Sequence, residues 1–235
     1  MAGFGGGSSY LAVLSLTSRP LDEIATLALV CNLAATTVGV YHFGRNHLID
    51  WHQATPFLIS SIPAAFIGGN IRIDHTFHLF LLAASLSTAG IHLFSGIRQE
   101  AQRSSRELSE QNRWIGGLMI GATLGMLSGI VGIGGGIFLA PLLYALRWTS
   151  AHHIAGLACL FICCNSIAGL GGRWLRLGEV MWTPDTLWLL LSVLAGAFIG
   201  SRLSARNIIP AGLRLVTAML ITAVAVRLWI RWFTA

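Results

Sequence analysis

The sequence predicts an all-α polytopic membrane protein built from two homologous repeats of four to five helices, each with a broken glycine-rich helical hairpin. Of its 235 residues, 54% are hydrophobic and only 10% are charged, and the mean hydropathy is +0.71. A water-soluble domain carries about 25% charged residues, so this chain has too few to coat a water-facing surface. The apolar residues also come in long blocks, without the alternation that the roughly 10-residue strands of a membrane β-barrel require.

Seven apolar blocks approach or exceed the ~20 residues that a helix needs to cross the hydrocarbon core. They are residues 21–43, 54–71, 75–97, 114–131, 151–172, 184–204 and 209–231. Two further apolar runs, 8–17 and 137–147, are too short to cross. No basic stretch precedes the first apolar run, so we expect the first true span to act as its own insertion signal.

The second half of the chain repeats the first. Residues 3–14 read GFGGGSSYLAVL and residues 132–143 read GIGGGIFLAPLL, at an offset of 129 residues. Further along, AAFIG at 64–68 corresponds to GAFIG at 196–200. A glycine cluster duplicated inside an apolar chain indicates two related half-sites that face one pathway.

A hydrophilic connector over 98–113 separates a first repeat over 1–97 from a second repeat over 114–235. The second repeat opens with an apolar helix whose counterpart would precede Met1. We expect a late start site or a trimmed chain, because an exposed glycine backbone would leave amides unsatisfied in lipid. Arginines lie in the connector and beside most other loops, so the positive-inside rule leaves both the orientation and the choice between parallel and inverted halves open.

The opening helix of the second repeat carries a glycine at every fourth position, at Gly117, Gly121, Gly125 and Gly129. Four glycines on one face let another backbone approach closely, and in lipid this close packing drives helix association. We therefore predict that a second helix packs against this face.

Each GxGGG segment is predicted to break a helical hairpin. Glycine costs about 1 kcal/mol per residue inside a helix, and irregular backbone at membrane depth persists only where protein buries it or where it lines a wet cavity. Consecutive glycines can place several N–H groups around one concave nest, which suits an anion. The short helix that follows would direct its positive end at the same point. The alternative is that the glycines only permit a tight hairpin and contact no solute.

The candidate substrate-binding residues come from both repeats. Asn32 and Asn165 each follow a cysteine inside a span, and polar side chains in lipid usually face the bundle interior; hydrogen bonding between helices is their alternative role. Arg45 and Arg176 correspond in the two repeats and are assigned to a vestibule that attracts anions, with snorkelling to the interface as the alternative. The substrate-binding set is Gly5, Gly6, Gly7, Ser8, Ser9, Asn32, Gly134, Gly135, Gly136 and Asn165.

No catalytic residue, metal site or cofactor is predicted. The histidines His42, His47 and His52 share a loop with Asp50, but their spacing does not define a set of converging ligands. Every carboxylate lies at a loop or a span end, which leaves none at mid-membrane to carry a proton. The four cysteines match no metal or redox spacing, and we expect no disulfide. The basic residues are arginines scattered among the spans, which argues against binding to nucleic acid.

The paired GxGGG motifs, the connector and the AFIG elements resemble the TauE/SafE sulfite exporter family of prokaryotic membrane proteins. The resemblance covers nearly the whole chain. It implies transport of sulfite or a small organosulfonate across the inner membrane, with residues 5–7 and 134–136 as motif positions and Pro141 at the end of the second motif. The sequence departs from the family pattern where Ala12 stands opposite Pro141 and where the first opening helix is absent.

We therefore expect a secondary carrier for a small oxyanion, multi-pass in the inner membrane, whose two repeats rock about the glycine loops. An inside-negative potential favours anion exit by about 2.3 kcal/mol per charge per 100 mV, so a divalent anion could leave without a coupled ion. Two alternatives remain open. One is a non-transporting integral membrane subunit, which the missing first helix favours, and the other is an intramembrane enzyme that uses the histidines near Asp50.

Overall fold

The computed structural model describes residues 7–17, 19–94, 110–146, 148–178, 184–205 and 211–234, and every regular element within these ranges is a helix. The helices, in chain order, are α1 (Gly7–Leu14), α2 (Leu21–Arg45), α3 (Trp51–Asn70), α4 (His75–Phe94), α5 (Glu110–Val131), α6 (Gly136–Ala145), α7 (Ala151–Leu177), α8 (Pro184–Ala205) and α9 (Ala211–Phe233). The predicted all-α class is confirmed. The predicted connector lies outside the described residues, except for its last four, which open α5.

Each of the seven predicted apolar blocks overlaps one long helix, and the two short runs overlap α1 and α6; α2, α3, α5, α7 and α9 extend two to five residues past the predicted bounds. By length and composition, three of the described helices could cross a membrane: Leu21–Arg45, Glu110–Val131 and His152–Leu177. Shorter apolar helices follow at His75–Ile91 and Thr186–Phe198. Large apolar side chains are exposed along the outer faces of α3, α8 and α9. Exposed apolar surface of this kind suits contact with lipid tails.

Local sequence fixes where several helices begin and end. Asp50 begins α3, because its carboxylate accepts hydrogen bonds from the backbone N–H groups of His52 (3.0 Å) and Gln53 (3.2 Å). This is the usual way in which an N-cap aspartate satisfies the unpaired donors of a first turn. Gly178 ends α7 with φ of 73°, a left-handed conformation that glycine adopts without strain.

The predicted glycine face of α5 packs against α3. A Cβ atom built at Gly121 would lie 3.0 Å from Cα of Phe57, and one built at Gly125 would lie 2.6 Å from Cα of Ser61. At Gly129 the same atom would lie 2.8 Å from the backbone nitrogen of Gly69. The two backbones therefore touch where larger residues would hold them apart, as expected for small-residue packing in lipid.

Two long antiparallel pairs cross the molecule. Helix α2 runs antiparallel to α7, because Asp22 lies beside Arg173 at one end whereas Gly39 lies beside Cys159 towards the other. Helix α4 pairs with α9 in the same sense, and Trp229 donates its indole N–H to Ser87 Oγ at 3.0 Å. In the predicted repeat, α2 corresponds to α7 and α4 to α9. Antiparallel pairing of corresponding helices is the arrangement that inverted halves would give, although the repeat itself stays a prediction.

The buried apolar side chains form two clusters that meet at α6. The first joins α1, α2, α4 and α9 to the break between α5 and α6 through Val131, Ile133 and Ile137. The second joins α3, α6 and α7 around Phe57 and Phe161. The segment between α5 and α6 consequently lies between two cores, where protein encloses it on several sides.

We predict that Gly125→Ala destabilises the protein through the α3–α5 contact. The new methyl carbon would lie 2.5 Å from Ser61 O, so the helices must move apart. Overpacking of this kind costs about 1–3 kcal/mol. Alanine gains about 1 kcal/mol in helix propensity over glycine, so the net effect should be a loss of stability. The measurement is the midpoint of thermal unfolding in detergent.

The matched control is Gly196→Ala on α8, where a Cβ atom would have no neighbour within 4 Å. This variant should keep or raise the midpoint, because only the propensity gain applies. Equal midpoints for the two variants would contradict the close packing of α3 on α5.

Candidate functional site

The chain leaves helical geometry completely between α5 and α6. Gly132, Gly134 and Gly135 have φ angles of 83°, 81° and 77°, a region that costs other residues about 1–2 kcal/mol each. All residues from Val131 to Ile137 are buried. The opened glycine loop that the sequence predicts between the long and the short helix of the second repeat is therefore present.

Consecutive backbone donors in this loop lack partners. The N–H of Gly132 still donates to Ser128 O at 2.9 Å, and Gly135 O accepts from the N–H groups of Phe138 and Leu139, both at 3.2 Å. Between these bonds, the N–H groups of residues 133–137 donate no hydrogen bond within the described part of the chain. Buried amides are normally paired, and a run of five donors without partners at the positive end of α6 is the kind of donor set that suits an anion.

Polar side chains from three helices converge on the loop. Asn32 of α2 is fully buried, and its Nδ2 donates to Gly132 O at 3.4 Å while its Oδ1 has no partner. A Cβ atom built at Gly134 would lie 3.1 Å from Asn32 Nδ2 and 3.5 Å from Ser166 Oγ of α7. One built at Gly135 would lie 3.4 Å from Cβ of Ser128 on α5. The hydroxyls of Ser128 and Ser166 are buried and also lack hydrogen-bond partners.

Apolar side chains of α7 press against the same glycines. A Cβ atom at Gly134 would lie 2.6 Å from Cγ2 of Ile162, and one at Gly135 would lie 2.8 Å from Cε1 of Phe161. The absence of a side chain at these glycines therefore permits both the left-handed backbone and the close approach of α7. A side chain at either position would displace the helix that carries Ser166.

The structure brings together only part of the predicted substrate-binding set. Asn32 and residues 134–136 lie at one place, and Asn165 directly precedes Ser166 on α7, fully buried and with both amide atoms unpartnered. Gly5 and Gly6 lie outside the described residues, as does the side chain of Ser8.

Gly7 opens α1, and Ser9 is half-buried on that helix. Leu11 of α1 shares a hydrophobic cluster with Ile133, which brings α1 towards the second loop. Convergence of the two glycine loops on a common site stays a prediction.

The two predicted vestibule arginines lie at opposite ends of the α2–α7 pair. Arg45 is exposed at the end of α2 and donates to Tyr41 Oη at 3.1 Å. Arg176, near the end of α7, donates to Asp22 Oδ1 at 2.5 Å and to Ile71 O at 2.8 Å. Since α2 and α7 are antiparallel, each arginine would line a different mouth of a pathway through the molecule.

A buried arginine that the sequence reading missed holds the start of the loop. Arg173 has a side-chain exposure of 2%, and its Nη1 donates to Asp22 Oδ1 at 3.2 Å. Its Nη2 donates to the carbonyl oxygens of Gly129 (3.1 Å) and Ile130 (2.7 Å). These carbonyls belong to the last turn of α5, which has no further helical donors and a partial negative charge. Arg173 therefore caps α5 immediately before the chain breaks.

Sequence alone offered a signal for this contact. An arginine inside an apolar helix needs a partner in the bundle interior, and Asp22 at the start of the first span is a candidate partner. The predicted span over 151–172 ends one residue short of Arg173, so this arginine is not predicted from the sequence as an intramembrane residue.

We predict that Arg173→Met lowers the free energy of unfolding by at least about 2 kcal/mol, because each buried carbonyl left without a donor costs about 1–3 kcal/mol. Methionine keeps much of the length of the side chain but donates no hydrogen bond. The measurement is the denaturant or thermal midpoint of the purified chain in detergent.

Glu23→Gln serves as the comparison, because it removes the ion pair between Glu23, in the first turn of α2, and Arg19, which precedes that helix. A partly exposed ion pair contributes about 0–1 kcal/mol, so the variant should stay close to the wild type. Shifts of equal size in the two variants would contradict the capping role of Arg173.

Taken together, a bundle of apolar helices with a buried break between α5 and α6 is the architecture of an integral membrane protein, and such breaks occur in transporters. The sequence matches the family described as "Sulfite exporter TauE/SafE" over residues 1–228, and the chain belongs to that family. The predicted resemblance is thus confirmed.

Two relatives share nearly the full length of the chain. It is 28% identical over 228 residues to "Probable membrane transporter protein y4hK" of Sinorhizobium fredii, which covers 96% of this chain and 90% of that protein. It is 25% identical over 247 residues to a "Probable membrane transporter protein" of Xylella fastidiosa, with coverages of 97% and 89%. No solved structure matches the chain.

These comparisons make the protein a membrane transporter and not an enzyme. The alternative of an intramembrane enzyme built on the histidines near Asp50 is therefore dropped. Among the described residues, no three His, Cys, Asp or Glu side chains are grouped as metal ligands would be, and all four cysteines are free thiols.

Proposed function

We propose that this transporter carries a small oxyanion, sulfite or an organosulfonate, and binds it at the break between α5 and α6. The observation that supports the proposal is the set of five consecutive unpaired backbone N–H groups with unpartnered polar side chains around them. Sulfite and sulfonates carry three oxygens on one sulfur, and each oxygen accepts hydrogen bonds from several directions. Such a guest would pair the donors that the fold leaves unpaired.

The chemistry of the loop favours an anion over a cation or a neutral solute. Backbone N–H groups only donate, the amide of Asn32 can turn its Nδ2 to a guest, and the hydroxyls of Ser128 and Ser166 can donate as well. Within the described ranges, the atoms nearest to Gly132, Gly134, Gly135 and Gly136 belong to no carboxylate. The N-terminus of α6 adds a partial positive charge of about half an elementary unit at low cost. Hydrogen bonds to an ionised acceptor are roughly twice as strong as those between neutral groups.

A cluster of three charges at one end of the α2–α7 pair supports the same assignment. Asp22 pairs with both Arg173 and Arg176, so two guanidinium groups face one carboxylate. The surplus of one positive charge lies beside the last turn of α5, on the approach to the loop. Positive potential in a partly buried position attracts anions and raises their local concentration.

The same cluster closes one end of the proposed pathway. Asp22 begins α2, whereas Arg173 and Arg176 end α7, so these ion pairs tie the two crossing helices together. Helices α2 and α7 separate at that end only if the pairs break or exchange partners. In the proposed cycle, loss of these contacts would open this side while the opposite side closes, as in the rocking of two repeats about a fixed site.

The membrane potential sets a direction for this cycle. Each negative charge that leaves a cell with an inside-negative potential gains about 2.3 kcal/mol per 100 mV. A divalent anion would gain twice this amount, so export needs no coupled proton or sodium ion. The carboxylate of α2 on the approach to the loop, Asp22, is held by Arg173 and Arg176, and neighbouring positive charges keep a carboxylate ionised, which favours uncoupled export.

We predict that Gly135→Ala reduces efflux of labelled sulfite from proteoliposomes by at least about tenfold, a barrier change of roughly 1.4 kcal/mol. The methyl group would lie 2.8 Å from Phe161 Cε1 and would distort the nest. The control is Gly178→Ala, which has a similar φ of 73° but no neighbour within 4 Å of a Cβ atom. Both variants carry the same backbone strain, so a difference in efflux reports on the loop itself. Efflux at the wild-type rate from Gly135→Ala would contradict the proposal.

We predict that Ser166→Ala weakens the binding of sulfite by about tenfold or more, because a hydrogen bond to a charged group contributes about 1.5–3 kcal/mol. Binding is measured as the rise of the thermal midpoint with added sulfite, taurine or sulfate, since a ligand stabilises the state that binds it. Ser61→Ala is the matched control, because Ser61 is also buried with an unpartnered hydroxyl but lies between α3 and α5.

The same thermal-midpoint measurement also distinguishes a carrier from a non-transporting membrane subunit. Stabilisation of the wild type that Ser166→Ala reduces and Ser61→Ala keeps would support the carrier. No stabilisation of the wild type by any of these three compounds at millimolar concentration would favour the subunit.

A further inference from the structure

The long helices are arranged between two ends of the molecule. At one end Asp22 pairs with arginines of α7, and this is called the Asp22 end; the other, where α5 begins, is called the connector end. Arg176 donates to Ile71 O at 2.8 Å, so α3 and α7 both finish at the Asp22 end. Arg113 donates to Trp148 O at 3.1 Å, so α5 and α7 both begin at the connector end.

The remaining long helices can be assigned to the same two ends. Only residues 71–74 separate α4 from α3, so α4 begins at the Asp22 end. Phe80 of α4 packs edge-on against Trp229 with 5.6 Å between the ring centres, which places the last turns of α9 at that end as well. Leu189, near the start of α8, packs against the same buried cluster as Ile24, near the start of α2. Both α2 and α8 therefore begin at the Asp22 end.

The short helix α6 returns to the connector end. The break after α5 lies beside the middle of α7, where a Cβ atom at Gly135 would lie 2.8 Å from Cε1 of Phe161. From there α6 runs back, because the backbone N–H of Trp148 donates at 3.0 Å to the oxygen of Leu143, near the end of α6. The segments before α5 and after α6 consequently lie on one side of the membrane.

Aromatic side chains are concentrated at both ends. At the Asp22 end, Phe80, Trp229, Trp232 and Phe233 form one group whose ring centres lie 4.9–6.2 Å apart in the contacting pairs. At the connector end, Trp51 is exposed at the start of α3. Tryptophan is enriched at the depth of the lipid headgroups. Each end therefore lies near one surface of the membrane.

The arginines are distributed unequally between the two ends. By their place in the chain relative to the helix ends, nine of the fifteen lie at the connector end and six at the Asp22 end. The six are Arg19, Arg72, Arg173, Arg176, Arg227 and Arg231. Half of these six are paired with carboxylates, because Asp22 holds Arg173 and Arg176 while Glu23 holds Arg19. Fewer arginines are therefore available to lipid at the Asp22 end than the count alone indicates.

We infer that the connector end faces the cytoplasm, where its arginines interact with the anionic lipids of the inner leaflet. Segments rich in arginine stay on the cytoplasmic side, because the anionic leaflet and the inside-negative potential both attract positive charge. The sequence leaves the orientation open, since it does not assign each loop to an end; the directions of the helices do.

The inference does not rest on the proposed transport function, because the helix directions and the arginine positions are independent of any solute. It adds one feature to that proposal. The ion pairs of Asp22 with Arg173 and Arg176 would lie at the outer mouth of the pathway, so the described arrangement is closed towards the outside.

The test labels single added cysteines in the full chain with a membrane-impermeant maleimide. Thr76, at the start of α4, and Thr234, just after α9, are exposed at the Asp22 end, whereas Gln111 is exposed at the connector end. We expect Thr76→Cys and Thr234→Cys to be labelled in spheroplasts, and Gln111→Cys to be labelled only in inside-out vesicles. The wild type gives the background, because its four cysteines lie within α2 and α7.

A second set of variants tests the role of the arginines. Arg98→Gln, Arg103→Gln and Arg106→Gln together leave six arginines at each end, so part of the Gln111→Cys protein should become labelled in spheroplasts. The matched control is Arg227→Gln with Arg231→Gln, which removes charge from the opposite end and should leave the labelling of Gln111→Cys unchanged.

Labelling of Gln111→Cys in spheroplasts without these arginine changes would overturn the inference, whether or not the other two positions are labelled. It would also fail if Thr76→Cys and Thr234→Cys were labelled only in inside-out vesicles. The role of the arginines would be contradicted if Gln111→Cys stayed unlabelled in spheroplasts after the three connector replacements.

Discussion

The interior of a bilayer supplies no water to pair with a broken helix, and this constraint shapes the centre of the molecule. Between α5 and α6 the fold leaves carbonyls on one side of the break and N–H groups on the other, and only the carbonyls receive hydrogen-bond partners from the described part of the chain. Arg173 pairs the carbonyls of Gly129 and Ile130, whereas the N–H groups of residues 133–137 have no partner among the described residues. An arginine that satisfies only the acceptors leaves a site rich in donors, and donors are what an anion needs.

Charge and packing reinforce this asymmetry. The guanidinium of Arg173 is buried among helix ends, which is tolerable because Asp22 and two carbonyls share its donors. Arg176 joins the same carboxylate and also reaches the end of α3 through Ile71 O. The cluster thereby connects α2, α3, α5 and α7 close to the break. Removal of Asp22 would leave the buried guanidinium groups of Arg173 and Arg176 without their shared carboxylate, so the three residues are expected to act as a unit.

The helices and the broken hairpin of the second repeat could be predicted from sequence, because long apolar blocks and glycine runs have few alternatives in lipid. The glycine face of α5 also predicted its contact, though not that α3 would be the partner. Asn32 was found because a polar residue in a span must face protein. Arg173 was not found, since its role depends on Asp22, which lies 151 residues away in the chain. Ion pairs between distant residues depend on how the helices pack against each other, and the local sequence pattern does not determine that packing.

The crossing of α7 with its neighbours has a mechanical consequence. At Gly69 and Gly169 the backbones of α3 and α7 touch directly, and a Cβ atom at Gly69 would lie 3.2 Å from Cα of Gly169. Interfaces that interlock large side chains resist sliding, because each step forces rotamers to change. At this contact neither helix has a side chain that interlocks with the other. Small shear displacements of α7 along α3 therefore have little steric cost.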